Sequence, residues 1–311
     1  ACDSVATGRP GRGDPEPEGE PPVTLEILRR LRLARTARFW GRVASGDELV
    51  TWLQDPAVRR YVNTCITGDP NVWPIDGLEP EFGFLSHAIS LGSGDGVLDR
   101  HMVERGICKS LTGFDISSRS LEIARRRAAE QGLESILYIR ADLNQLALDE
   151  NSCDGALFQQ SLHHVERLEV CLDAVRAALR PNGLVYLDEY IGPSQSEWNR
   201  ELLQEADEVY RKLPARLRKR GRLQIPVDGK DPSEAIRASE IVREISARFQ
   251  IELRRDYGGT FLSVIYPHLD FSRCGDSERE DTMNQLIELE RAAIAGGAPA
   301  FFTLILARNA A

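Results

Sequence analysis

The stretch AISLGSGDGVLDR, Ala88 to Arg100, sets three glycines within five positions between an apolar run and the start of a helix. A strand running straight into Gly92, Gly94 and Gly96 needs residues without a Cβ there. A ligand can then touch the backbone, and the chain can turn into a helix whose N-terminus points at that ligand. In the dinucleotide fingerprint the third glycine falls three residues after the second. Here that position is Val97, and the third glycine is Gly96. The spacing argues against a nicotinamide dinucleotide.

From Gly83 onward, short apolar runs alternate with amphipathic helices, as in a parallel sheet covered on both faces. Strands are expected at His87–Leu91, Ser110–Asp115, Ile136–Arg140, Gly155–Gln159 and Leu184–Glu189, with helices at about 97–105, 118–131 and 166–179. RPNG, Arg180 to Gly183, stops the last of these helices through its Pro and Gly. After Tyr190 about 40 residues interrupt the alternation, with a helix near 195–213 and a basic run from Arg211 to Arg222. The pattern resumes with a helix at about 232–247, a strand ending at Tyr257, a helix near 278–295 and a final strand from Phe301. The fold class is α/β, a doubly wound sheet. Before it, Leu25, Leu28, Leu31 and Leu33 are spaced for one face of a helix over Thr24–Ala44, and one or two more helices follow. The division expected is a disordered tail over 1–22, a helical region or lid over 23–82, and a main domain over 83–311 with a helical insertion at about 191–231.

The loop Gly-x-Gly-x-Gly resembles motif I of the class I S-adenosylmethionine-dependent methyltransferases. Three further elements carry the resemblance. LTGFDIS ends the second strand with Asp115, placed to meet the ribose hydroxyls; YIRADLNQLAL ends the third with Asp142, placed to meet the adenine amino group. The stretch from Asp149 to Tyr190 resembles the family's fourth strand, helix and fifth strand. The resemblance implies a Rossmann-like sheet of seven strands with the last antiparallel, and S-adenosylmethionine as cofactor, released as S-adenosylhomocysteine. It implies a cofactor site made of Ser90, Gly92, Ser93, Gly94, Gly96, Asp115, Ile116, Asp142, Leu143 and Gln159. Many members carry an acidic residue two positions before the first glycine, contacting the cofactor's ammonium group. Here that residue is Ser90, which leaves the ammonium to backbone carbonyls or to a neighbouring carboxylate.

Methyl transfer from a sulfonium mainly requires reactants held in line and water excluded, with a general base helpful for a hydroxyl or activated carbon. Ligands bind at the carboxyl ends of strands in such sheets, which directs attention to Gln159, Gln160, His163, His164, Asp188, Glu189 and Tyr190. The candidate catalytic residues are His163, His164, Glu189 and Tyr190. A structural hydrogen bond at a helix start is the other reading of the histidines. The family's amino-group methylating enzymes often show an acidic residue or Asn followed by Pro-Pro and an aromatic after the fourth strand, which FQQSLHH does not resemble. The acceptor implied is the oxygen or carbon of a small molecule. A cofactor-binding protein of the same fold with a non-methylating or regulatory role is the alternative.

Three segments could close the pocket: the N-terminal helices with Trp52, Tyr61 and NTCITGDP, the insertion after Tyr190, and DYGGT, Asp256 to Thr260, read as a flexible turn. If the basic run folds over the pocket, it favours an acceptor bearing carboxylate or phosphate. The net charge of −9 over 311 residues argues against general nucleic-acid binding. No apolar run approaches the roughly 20 residues that span a bilayer, and the first residues lack the apolar centre of a secretory signal. A cytoplasmic protein is expected, with its six scattered cysteines reduced and mostly buried and no metal site.

Overall fold

In the computed structural model of the chain, which describes residues 23–46, 51–226 and 231–310, seven strands form one sheet. They are β1 (Ala88–Leu91), β2 (Leu111–Asp115), β3 (Ile136–Arg140), β4 (Cys153–Gln159), β5 (Leu179–Tyr190), β6 (Gln250–Gly258) and β7 (Phe302–Arg308). Their order is β3-β2-β1-β4-β5-β7-β6, and β7 runs antiparallel to β5 and β6. This is the Rossmann-like sheet the sequence pattern implies. Every residue of β1 and β2 is buried, the signature of strands covered on both faces. The edge strand β3 buries only Tyr138.

Eight helices of two turns or more surround the sheet among the described residues. They are α1 (Val23–Ala44), α2 (Pro56–Thr67), α3 (Val97–Glu104), α4 (Ser118–Glu130), α5 (Leu168–Ala178), α6 (Gln204–Lys212), α7 (Ile241–Arg248) and α8 (Asp276–Ala295). Local chemistry sets several boundaries. The Asp55 carboxylate accepts the Ala57 amide at 2.9 Å, Pro56 takes the first position of α2, and Gly68 ends it in a left-handed conformation. Ser117 caps α4 by accepting the Ser120 amide at 3.2 Å. Helix α5 stops at Ala178, so RPNG lies wholly inside the irregular start of β5. There Leu179 pairs with Cys153 and Leu184 with Gly155, and Asn182 takes a positive φ.

The insertion differs most from its sequence reading. Helix is confined to Gln204–Lys212, because the Asn199 side chain takes the amides of Glu201 and Leu202 at 2.9 and 3.0 Å and turns the chain instead. Helix α7 begins only at Ile241. Upstream of it the Asp231 carboxylate accepts the Ser233 amide at 3.0 Å, and the Ile236 amide bonds the His163 carbonyl at 3.1 Å. Those bonds hold residues 233–236 against the sheet rather than in a helix.

The N-terminal helices also divide differently. Helix α1 lies on α4, while α2 packs on β6 and α8 at the far end of the sheet. Tyr61 and the stretch NTCITGDP therefore belong to that end, and α1 with Trp52 and Leu53 covers the carboxyl edge of the sheet. Leu33 of α1 faces this edge but Leu31 is 55% exposed, so the predicted apolar face is not buried as a whole. The predicted tail over 1–22 lies outside the described residues. Among the described cysteines, Cys108, Cys153 and Cys171 are buried, Cys65 and Cys274 are partly buried, and all are free thiols.

DYGGT is not a flexible turn. The fully buried Glu290 carboxylate accepts the amides of Thr260, Phe261 and Leu262 at 2.7, 2.7 and 3.1 Å. Glu290→Ala should leave these three amides without an acceptor and cost about 2–4 kcal/mol, since an unsatisfied buried donor costs more than a made bond contributes. Urea unfolding would measure it; an unchanged midpoint would show that the loop holds itself.

Candidate functional site

A cavity of about 1100 Å³ opens at the carboxyl ends of β1, β2, β4 and β5, between α1 and the insertion. It is lined by Ser90, Gly92, Ser93, Gly94, Asp115, Ile116, Asp142, Leu143, Gln159, Gln160, His163, His164 and Tyr190. The sequence-predicted residues therefore converge, with two exceptions: Gly96 and Glu189 act from behind the wall.

The glycine loop is built against its own chain. A Cβ on Gly96 would lie 2.1 Å from the Tyr138 hydroxyl, which makes glycine obligatory where the loop passes over β3. At Gly94 a Cβ would meet no protein atom within 4 Å, so this part of the loop faces open space in which a ligand can lie. The Asp115 carboxylate accepts the Gly94 amide at 2.9 Å and the Ser117 amide at 2.7 Å, tying the loop after β1 to the turn after β2. Burial pushes this carboxyl up, and the two backbone amides pull it back. Asp142 accepts the Asn144 amide at 2.9 Å and closes the turn Leu143–Gln145. This leaves the Asp142 turn and the Asp115 turn side by side along one wall.

At the other end of the cavity two imidazoles stand 4.0 Å apart, centroid to centroid. Glu189, fully buried, takes the amides of Ser161, Leu162 and Tyr190 and lies 2.6 Å from His163 Nδ1. Burial by itself would push the His163 imidazole down, but the Glu189 carboxylate overrides it and holds it up at about 9. His164 goes the opposite way: burial and the neighbouring His163 push it below the ordinary imidazole value. Its Nδ1 lies 3.2 Å from Ser233 Oγ and 3.5 Å from the Asp231 carboxylate, while its Nε2 is buried with no hydrogen-bond partner among the described residues. The Glu234 carboxylate lies 3.9 Å from each Nε2.

Asp231 also binds α1, accepting Thr36 Oγ and Trp40 Nε1, each at 2.9 Å. Nothing in the local sequence around either segment announces that contact, which spans 191 and 195 residues of chain. Tyr190 lines the cavity, but its hydroxyl is already donated to the Pro193 carbonyl at 2.9 Å. Asp188 faces away from it and accepts Gln160 Nε2 at 3.2 Å and the Tyr257 hydroxyl. The basic run does not line the cavity: Arg216 pairs with Glu278, Lys219 donates to the Pro267 carbonyl at 3.0 Å, and Arg218 lies over the Tyr210 ring. The segment that does reach the wall is Gln224–Pro226, and it is uncharged. One lining residue lies inside the opening motif and was passed over there. Asp99, three residues after Gly96, is fully buried and neither of its carboxylate oxygens has a hydrogen-bond partner.

The sheet order, a glycine loop open to a cavity and two acidic turns beside it define a nucleotide-cofactor site of the doubly wound class. Residues 89–187 match the family model described as a methyltransferase domain. Over 109 residues the chain is 29% identical to the ubiquinone biosynthesis O-methyltransferase of Haemophilus ducreyi, covering 33% of this chain and 45% of that one. Over 115 residues it is 29% identical to the fatty-acid O-methyltransferase of Mycolicibacterium smegmatis, covering 37% and 41%. The similarity thus spans under half the length of these curated relatives. Among solved structures, phosphoethanolamine N-methyltransferase 1 of Haemonchus contortus, in complex with phosphoethanolamine and S-adenosylhomocysteine, shares the fold. Its TM-score is 0.51 at 12% identity, over 90% of this chain and 49% of that one.

Two outcomes are expected of the site. Asp115→Ala should weaken S-adenosylmethionine binding by roughly 1.5–3 kcal/mol, because it removes a charge-assisted acceptor and frees the Gly94 amide. Calorimetry checks this, and unchanged affinity would remove Asp115 from the site. Because the folded state holds the His163 proton more tightly than an unfolded chain does, that stabilisation is complete below the ordinary imidazole range near pH 6.5. It is lost as pH rises through about 9. Stability of His163→Gln should lack this decline; denaturant titrations across that range would show it.

Proposed function

We propose that this protein transfers a methyl group from S-adenosylmethionine to the oxygen of a small-molecule acceptor. The observation that carries the reading is that one cavity joins the glycine loop and Asp115 at one end to a neutral, unpartnered imidazole nitrogen, His164 Nε2, at the other.

The residues present suit the cofactor. Open space beside Gly94 gives a cradle for a backbone contact, and the Asp115 and Asp142 turns put carboxylates along one wall. When bound, S-adenosylmethionine supplies a methyl group already activated on a positively charged sulfur. The work left to the chain is to exclude water, place the acceptor and take its proton.

Exclusion of water falls to α1 and the insertion, joined over His164 by Asp231. Leu33, Trp40, Leu53, Trp198, Ile225, Val264 and Phe302 make most of the far wall apolar, so the acceptor fitted best is an apolar body carrying a hydroxyl. His164 is the proton acceptor. Asp231 and Ser233 hold its Nδ1 side, which turns the free Nε2 to the hydroxyl. His163, held protonated by Glu189, fixes the first imidazole as a positive neighbour that keeps the second neutral. The names of the curated relatives, both O-methyltransferases, agree with an oxygen acceptor. A cytoplasmic setting goes with this reading; among the described residues, no helix is long and apolar enough to cross a membrane.

An acceptor would be found by screening metabolite extracts for transfer of a labelled methyl group. With it in hand, His164→Ala should lower kcat by about 10²–10⁴-fold and leave S-adenosylmethionine affinity within about twofold. The groups facing His164 are His163, Glu189, Asp231, Ser233, Glu234 and the Trp40 ring. Their balance lowers its pKa, so the wild-type rate should rise with pH through a value below 6.5 and be level by neutrality. A full rate in His164→Ala would end its role as base.

A further inference from the structure

Among the described residues, Asp99 is the one acidic side chain on the cavity wall whose carboxyl oxygens are both buried without a hydrogen-bond partner. It sits on the first turn of α3, directly after the glycine loop. Its surroundings are polar without satisfying it. The Ser93 hydroxyl and the Tyr138 hydroxyl are also buried without partners, and Ser90 is near enough to favour the charged carboxylate. The next residue, Arg100, turns its guanidinium to the Asp95 carbonyl at 2.6 Å instead. Space for the carboxylate comes from Gly113, the β2 residue in register with Ser90. A Cβ there would lie 2.8 Å from Asp99 Oδ2 and 2.9 Å from Ser93 Oγ.

A buried ionised carboxylate with no strong donor and no paired cation is costly, and a cation brought to it relieves that cost. Two features restrict what that cation is. It must come from the cavity, since among the described residues the one cation that acts on the carboxylate, Arg100, turns its guanidinium to the Asp95 carbonyl and makes no ion pair with it. It must also lie at the glycine loop, on the side where Ser90 stands in place of the acidic residue common in the wider family.

We infer that Asp99 is the carboxylate that receives the α-ammonium group of S-adenosylmethionine: the acidic group has moved from the end of β1, where Ser90 stands, to the first turn of α3, where Gly113 makes room for it. This rests on the cofactor reading above and extends it to a residue outside the Gly-x-Gly-x-Gly loop. Bringing an ammonium group to Asp99 gives a charge-assisted contact in a site of low dielectric, where such contacts are strongest. Burial holds the Asp99 carboxyl up at about 7 against the pull of Ser90 and Arg100, with Asp115 and Asp95 adding to the rise. Near neutrality part of the Asp99 population therefore carries a proton, which binding of a cation expels.

The test uses the full chain and calorimetry, with S-adenosylmethionine and with 5′-methylthioadenosine, which keeps the adenosine and lacks the amino-acid part. Asp99→Asn should bind S-adenosylmethionine about 10- to 100-fold more weakly and 5′-methylthioadenosine within about twofold of wild type. Ser90→Asp combined with Asp99→Asn, which returns the carboxylate to the strand, should recover most of the loss. Titrations near pH 7 in buffers of different ionisation enthalpy should show proton release on binding to wild type and less to Asp99→Asn. Wild-type affinity in Asp99→Asn, or equal weakening of both ligands, overturns the assignment to Asp99 alone. A wild-type chain that binds neither ligand overturns the cofactor reading with it.

Discussion

Buried carboxylates that gather backbone amides hold the carboxyl edge of this sheet in shape. Asp115 takes the amides of Gly94 and Ser117, Glu189 those of Ser161, Leu162 and Tyr190, and Glu290 those of Thr260, Phe261 and Leu262. Asp115 and Glu189 lie at strand ends, and Glu290 reaches from α8 to the amides that follow β6. An ionised oxygen can accept several of them at once, which neutral side chains do less well. The loops around the cavity are therefore set by a few charges, and their positions are those of a rigid rim.

Asp99 belongs to the same edge and breaks the pattern. Its oxygens gather nothing from the protein, so its charge is available for a ligand. The two histidines show the same contrast at close quarters. Glu189 sits beside His163 and raises it, while Asp231 lies farther from His164 and cannot outweigh burial and the neighbouring charge. Burial and one neighbouring carboxylate thus push adjacent residues of one type in opposite directions.

Much of the sheet was legible in the chain. Ile136–Arg140 was placed to the residue, and Asp115 and Asp142 were found from strand ends alone, because short apolar runs in a parallel sheet have sharp polar boundaries. The insertion was not legible. Helical spacing over 195–213 and 232–247 gave way to side-chain bonds from Asn199 and Asp231 that no periodicity reports. The conspicuous charge of the basic run suggests a wall of the pocket, yet Arg216 pairs with Glu278, Lys219 donates to the Pro267 carbonyl, and Arg218 lies over the ring of Tyr210, just before the run.

The sequence by itself determined the alternation of strands and helices and the polar residues that end the strands, because these follow from local apolar periodicity, and its motifs resemble those of one cofactor class. The tertiary structure decided which side chains share a dry space. It set Asp231 against Trp40 and His164, placed Glu189 behind His163, and put Asp99 in the room left by Gly113. Burial and distance govern the charge state of these groups, and both depend on parts of the chain that meet only when it is folded.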